Sequence, residues 1–137
     1  MSRTALLPAA ALVAIGGFIH LQLWSGGYRG IPLIGPWFVV NMVVSAVIAV
    51  ALLATADRRV ALAGLALSLA SLAALVLSRT VGLFGFLETT WTERALSATG
   101  AELGAIVALA LALSGRASAS LRALPLPVPV RHGRRAA

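Results

Sequence analysis

The chain has 137 residues, 60% of them hydrophobic and only 11% charged, with a mean hydropathy of +0.97. A soluble domain needs roughly a quarter of its residues charged to coat its surface, so this composition excludes a water-soluble globular protein. Cysteine is absent, which excludes disulfides, thiolate metal sites and thiol redox chemistry. Asp57, Glu88, Glu93 and Glu102 are the only acids, against eleven basic residues that are all arginine, for a net charge of +7.

A hydrocarbon core of about 30 Å takes about 20 apolar residues in a helix. Four windows meet this length, at about 4–24, 37–56, 60–78 and 95–114. Backbone groups in lipid need internal partners, and the alternation of a membrane barrel is missing, so these windows are expected to be helices. The expected fold is all-α, a four-helix transmembrane bundle with both termini cytoplasmic. The first window follows Met1-Ser2-Arg3 as a signal peptide would. It ends in His20, Gln22, Trp24 and Ser25 with no small-residue cleavage site, so it is expected to be retained.

Orientation follows from the arginines, which collect in the cytoplasmic connections. With the N-terminus inside, Arg3, Arg58, Arg59, Arg116, Arg122, Arg131, Arg134 and Arg135 are cytoplasmic, and only Arg29, Arg79 and Arg94 lie outside. The short Asp57-Arg58-Arg59 connection folds the second and third windows into an antiparallel hairpin. The reading is a multi-pass protein of the cell membrane, with the lipid bilayer as its first partner.

Residues 115–137 read as an Arg/Pro-rich disordered cytoplasmic tail, since Pro125, Pro127 and Pro129 forbid a helix there. Its arginines add an attraction for anionic lipid of about 1 kcal/mol each. Nucleic acid is not an expected partner, because the arginines lack interleaved aromatics and are tethered to the membrane.

The polar residues of the windows fall at one level. His20 and Asn41 each lie one turn below the outer end of their windows. Arg79 marks the outer end of the third window, Glu88 follows in the loop, and Glu102 lies two turns into the fourth. Trp24, Tyr28, Trp37, Phe38, Phe84, Phe86 and Trp91 share the asymmetry, although an aromatic belt normally decorates both interfaces. In the outer loop from Gly26 to Pro36, Leu33 and Ile34 are expected to fold back onto the bundle. Arg29 is expected to pair with Glu88 or Glu93, or to hold an anionic head group.

An acid at the centre of a span costs roughly 3 kcal/mol, about what the Leu, Ile and Val residues of the fourth window return. Glu102 should therefore face the interior and meet a cation or a hydrogen-bond donor, or else be protonated. Gly100-x-x-x-Gly104, continued by Ala108 and Ala112, forms a small-residue ridge on another face of that helix. The ridge fits a neighbouring helix, a homo-oligomer or a larger membrane complex. Gly16 and Gly17 leave room beside His20, whose candidate partners are Glu102, Asn41 and Glu88. His20 reads as a structural histidine, a proton-exchanging partner of Glu102 or a metal ligand. The His/Cys clustering of a metal site is missing, and one membrane histidine cannot supply both axial ligands of a haem, so no metal or other cofactor is expected.

The candidate ligand-binding set is His20, Tyr28, Arg29, Asn41, Arg79, Glu88 and Glu102, and no catalytic residue is assigned. Three functions stay open. One is a non-enzymatic module binding an ion, lipid or small amphiphile or taking part in transport. Another is an accessory or scaffold subunit of a larger membrane complex. The third is a small enzyme acting on a lipid or quinone, with His20 and a glutamate as acid and base.

Two stretches carry a resemblance. Gly17-Phe18-Ile19-His20-Leu21 continues to Gly27-Tyr28-Arg29-x-Ile31-Pro32-x-Ile34-Gly35 and Asn41, and Val81-Gly82-Leu83-Phe84-Gly85-Phe86-Leu87-Glu88 precedes Glu102. Together they resemble small four-span integral membrane proteins of unassigned function from high-GC Gram-positive bacteria (actinobacteria). The resemblance runs from Phe18 to Leu113 and excludes the tail. It implies a bacterial inner membrane and four spans, and it brings no activity and no site residue.

Overall fold

The computed structural model describes residues 2–122. They form α1 (Arg3–Ser25), α2 (Ile34–Thr55), α3 (Arg58–Thr80) and α4 (Glu93–Arg122), with a 3-10 turn at Tyr28–Gly30 between the first two. All four helices are long and apolar enough to cross a membrane. Their ends fall within about three residues of the windows read from composition, except at the close of α4. There the helix runs through Gly115 to Arg122, beyond the boundary expected at residue 115. The physical reason is local: one glycine costs a helix only about 1 kcal/mol, and no proline intervenes before Pro125. The expectations for residues 123–137 lie outside the described residues.

Helix starts follow the local side-chain chemistry. Ser2 Oγ accepts from the Ala5 N–H at 3.2 Å, Asp57 from Arg59 N–H at 2.7 Å, and Thr92 Oγ1 from Ala95 N–H at 3.2 Å. Ala56, in the left-handed region at φ 50°, turns α2 into α3 with only Asp57 between it and the next helix. The helices alternate in direction, and each packs on its two neighbours in the ring α1–α2–α3–α4. One end of the bundle carries Ser2 and the α2–α3 turn; the other carries the two long connections and is called the loop end below.

The apolar core fills the half opposite the loop end. Leu6, Ala9 and Val13 of α1, Ile48 and Leu52 of α2, Ala61 of α3 and Leu109 of α4 pack there. Arg3 ties this end together by donating from Nη2 to the Ala54 carbonyl at 2.9 Å. Towards the loop end the core thins to Ile19, Leu23, Ala98 and Ala101. α3 explains the difference, since it buries only Ala61, Gly64 and Ser68, on one face of its first half. Beyond Ser68 it buries no further residue.

The expected packing glycines separate into two groups. A Cβ on Gly17 would lie 2.7 Å from Ser45 Cβ, so α1 and α2 approach there as only glycine allows. Gly104 receives Leu12 of α1, 3.1 Å from where its Cβ would stand, but Gly100 has nothing within 4 Å and does not pack in the bundle. Steps of four residues drift about 40° around a helix, which rotates Gly100 out of the seam that Gly104 occupies.

Candidate functional site

The buried stripe of α4 runs Ala95, Ala98, Glu102, Ala105 and Leu109, at alternating spacings of three and four. Glu102 thus holds an inward position in an otherwise apolar seam, and it is only 7% exposed. One carboxylate oxygen lies 3.3 Å from where Gly16 would carry a Cβ, so the bare backbone of α1 makes room for it. The hydroxyls of Ser68 and Ser71 on α3 lie beside the same carboxyl group.

A run of hydrogen bonds reaches this point from α2. Ser45 donates to Asn41 Oδ1 at 3.1 Å, and Asn41 Nδ2 donates to Ser71 Oγ at 2.5 Å. The oxygen of Ser71 is thereby an acceptor, which leaves its own proton to point at Glu102. Polar groups of α2, α3 and α4 are linked in one line.

His20 lies one turn along α1 from Gly16. Its Nδ1–H donates to the Gly16 carbonyl at 2.8 Å. A carbonyl can only accept, so in the neutral ring Nε2 carries the lone pair. The ring tilts against Phe38 at a centroid distance of 5.4 Å. Gly16 thus meets both groups, the imidazole at its carbonyl and the Glu102 carboxyl group where a side chain would stand. The sequence reading expected Glu102, Asn41 or Glu88 as the partner of His20; the bond goes instead to its own helix, one turn back.

Above these groups is a cavity of about 370 Å³ in the loop-end half of the bundle, lined from all four helices and both long connections. His20, Asn41, Ser71 and Glu102 form its floor, and leucines, alanines and aromatics form its walls. Trp37 and Val40 of α2 and Ala70 of α3 belong to the lining and are also exposed, so the cavity opens sideways between these two helices. The Asn41–Ser71 bond crosses that seam at the level of Ala70, at the lower edge of the opening.

The rim is built by the second long connection. The Leu83 and Phe86 backbones exchange hydrogen bonds of 2.8 and 2.9 Å around Phe84 and Gly85, whose φ values of 51° and 81° are those of a tight two-residue hairpin. Tyr28 O–H donates to Glu88 Oε2 at 3.0 Å, and Thr90 N–H donates to Glu88 Oε1 at 2.8 Å. The Thr90 amide, then the Tyr28 hydroxyl and the nearby Arg79, hold the Glu88 carboxyl below the usual glutamate range. Burial first, and then the Glu88 charge, push the Tyr28 phenol above its usual range. Tyr28 also meets Phe38 and Phe86 edge to face, at 5.3 and 5.9 Å. Arg79 lies over the Trp91 ring at 4.1 Å and donates from Nη1 to the Thr90 carbonyl at 2.8 Å, while its buried Nε has no acceptor.

Of the residues expected at a site, His20, Tyr28, Asn41, Arg79, Glu88 and Glu102 all line this one cavity. Arg29 does not. Its side chain is exposed, and Glu88 is already engaged by Tyr28 and Thr90. The contribution of Arg29 is its carbonyl, which lies 2.6 Å from where Gly35 would carry a Cβ and so packs the loop onto the start of α2. Ile34 folds into the bundle as expected, whereas Leu33 is 55% exposed. Sequence reasoning missed Ser45, Ser68 and Ser71. The signal was present as Asn41-x-x-x-Ser45 and Ser68-x-x-Ser71, polar pairs at helical spacing in apolar runs. Among the described residues no three of His, Asp and Glu gather closely enough to hold a metal ion.

Comparison with known protein families, curated proteins and solved structures finds no match for this chain. The cavity is thus read on its own chemistry. It is an apolar chamber with a carboxyl group and an imidazole at one end, a shape that accepts a small apolar body bearing a polar tip.

Proposed function

We propose that this is a multi-pass membrane protein that binds one small amphiphile in a cavity facing the outer leaflet. The observation that carries the reading is the cavity itself: apolar walls, a polar floor, and a mouth between α2 and α3 that opens where the acyl chains of a bilayer would lie. A lipid-dissolved molecule reaches such a chamber without passing through water. The unpaired Nε of Arg79 offers a hydrogen bond to an acceptor on the occupant near the rim.

The outward direction of the loop end rests on the arginines. Eight of them lie in or beyond the connections at the other end, which the charge rule puts in the cytoplasm. The resemblance to four-span proteins of high-GC Gram-positive bacteria supports the inner membrane of such a cell as its location.

Native mass spectrometry of the protein extracted directly into lipid nanodiscs tests the binding. One non-covalent small molecule per chain is expected on the wild type, and its loss is expected on Ala74→Trp, which fills the cavity from a lining position one turn along α3 from Ala70. A wild-type chain that carries nothing under these conditions overturns the reading. The absence of native cysteine makes orientation equally direct to check. A membrane-impermeant maleimide applied to intact cells should label Thr89→Cys and leave Thr55→Cys untouched; the reverse pattern overturns the orientation.

A further inference from the structure

Resting on that reading, we propose that the amphiphile in the cavity ends in an ammonium group seated against Glu102. The floor is rich in acceptors and poor in charge-bearing donors. Glu102 is nine-tenths buried, its neighbours are the hydroxyls of Ser68 and Ser71, and its carboxylate rests on bare backbone at Gly16. His20 has its Nδ1 proton engaged by the Gly16 carbonyl and presents a lone pair on Nε2.

The cation that shares the chamber does not serve Glu102. Arg79 lies eight residues along α3 from Ser71, about 12 Å nearer the rim at 1.5 Å per residue. It is held there by the Thr90 carbonyl and the Trp91 ring, with Glu88 close by. Ionising a buried carboxyl group without a cation is strongly unfavourable, and the described residues place none beside Glu102.

An ammonium group supplies what is missing. It carries the opposite charge and three donors, which match the Glu102 oxygens and the His20 lone pair. The walls suit it as well, because Tyr28, Phe38 and Phe86 line the same space and aromatic faces attract cations. A carboxylate head would be repelled by Glu102, and a hydroxyl head would bring one donor and no charge. The alkyl part then leaves through the mouth between α2 and α3, among the apolar side chains of Trp37, Val40 and Ala70.

The test uses the full chain in phosphatidylcholine nanodiscs, titrated with decylammonium, decanol and decanoate and followed by thermal melting. The wild type is expected to bind decylammonium at least tenfold more tightly than decanol, with decanoate weakest. Glu102→Gln should remove the preference for decylammonium over decanol, and a cooperative melt of the unliganded variant shows that it is folded. Equal binding of the three compounds to the wild type, or an ammonium preference that survives Glu102→Gln, overturns the assignment and leaves the cavity reading standing. Failure of all three to bind the wild type overturns both.

Discussion

The carboxylate of Glu102 rests on the α-carbon of Gly16, with one oxygen 3.3 Å from where a Cβ would stand. An acid on one helix is accommodated because the facing helix has no side chain at that point. Gly16→Ala needs only a small shift of the flexible carboxyl end and should cost about 1 kcal/mol or less. Gly16→Leu occupies the floor, and it is expected to cost about 1–3 kcal/mol and to remove the bound small molecule. Thermal melting and native mass spectrometry of the two variants check this pair of outcomes.

Gly17 and Gly100 should respond in opposite ways to the same substitution. A Cβ on Gly17 would fall 2.7 Å from Ser45 Cβ and 3.3 Å from the Met42 carbonyl, where helix backbones meet and little can yield. Gly17→Ala is therefore expected to cost about 1–3 kcal/mol, through forced separation of α1 and α2. At Gly100 nothing lies within 4 Å, so Gly100→Ala should leave stability unchanged or raise it by up to about 1 kcal/mol, as for glycine in any helix interior. Unfolding midpoints of both variants in the same detergent decide the matter.

The Asn41–Ser71 bond joins α2 to α3 below the mouth of the cavity, where those helices are otherwise parting. A double-mutant cycle with Asn41→Leu and Ser71→Ala should give a coupling of about 0.5–1.5 kcal/mol, the range known for hydrogen bonds between membrane helices. A coupling indistinguishable from zero would show that the two side chains do not meet.

The Tyr28–Glu88 clasp should depend on pH at both extremes. Glu88 in the folded protein titrates below its unfolded value, so its contribution is present above that value and disappears as pH falls through the folded one. Tyr28 titrates above its unfolded value, so its contribution is present below that value and disappears as pH rises through the folded one. The clasp is complete between the ordinary glutamate and tyrosine ranges. The protection of the Thr90 amide against hydrogen exchange, taken relative to its intrinsic rate, should fall in acid, and Glu88→Gln should flatten that response.

The helices were legible because lipid imposes a length and a composition that twenty-odd residues must satisfy together. The level of the site was legible for a related reason: His20, Asn41 and Glu102 are costly in hydrocarbon, so their depths mark where the bundle must compensate them. Pairing was harder to read. His20 bonds to a backbone carbonyl, which is present at every position and leaves no trace in the sequence. Arg29 and Glu88 looked complementary, but Tyr28 and the Thr90 amide reach the carboxylate first. The hairpin at Phe84–Gly85 also escaped notice, since its first left-handed position holds phenylalanine instead of the usual asparagine or glycine.

The grip of the bundle on α3 at Ala61, Gly64 and Ser68, with the Asn41–Ser71 bond, makes the rest of that helix an arm. From Ser71 to Thr80 it extends about 14 Å at 1.5 Å per residue, so a swing of about 10° at the fulcrum carries the tip about 2 Å. The tip is latched to the surface loop by the Arg79–Thr90 bond and by the Glu88 N–H to Ser78 carbonyl bond of 2.8 Å. The far end of α3 is thus fastened to the surface loop and not to α2, so the width of the gap between α2 and α3 depends on that latch.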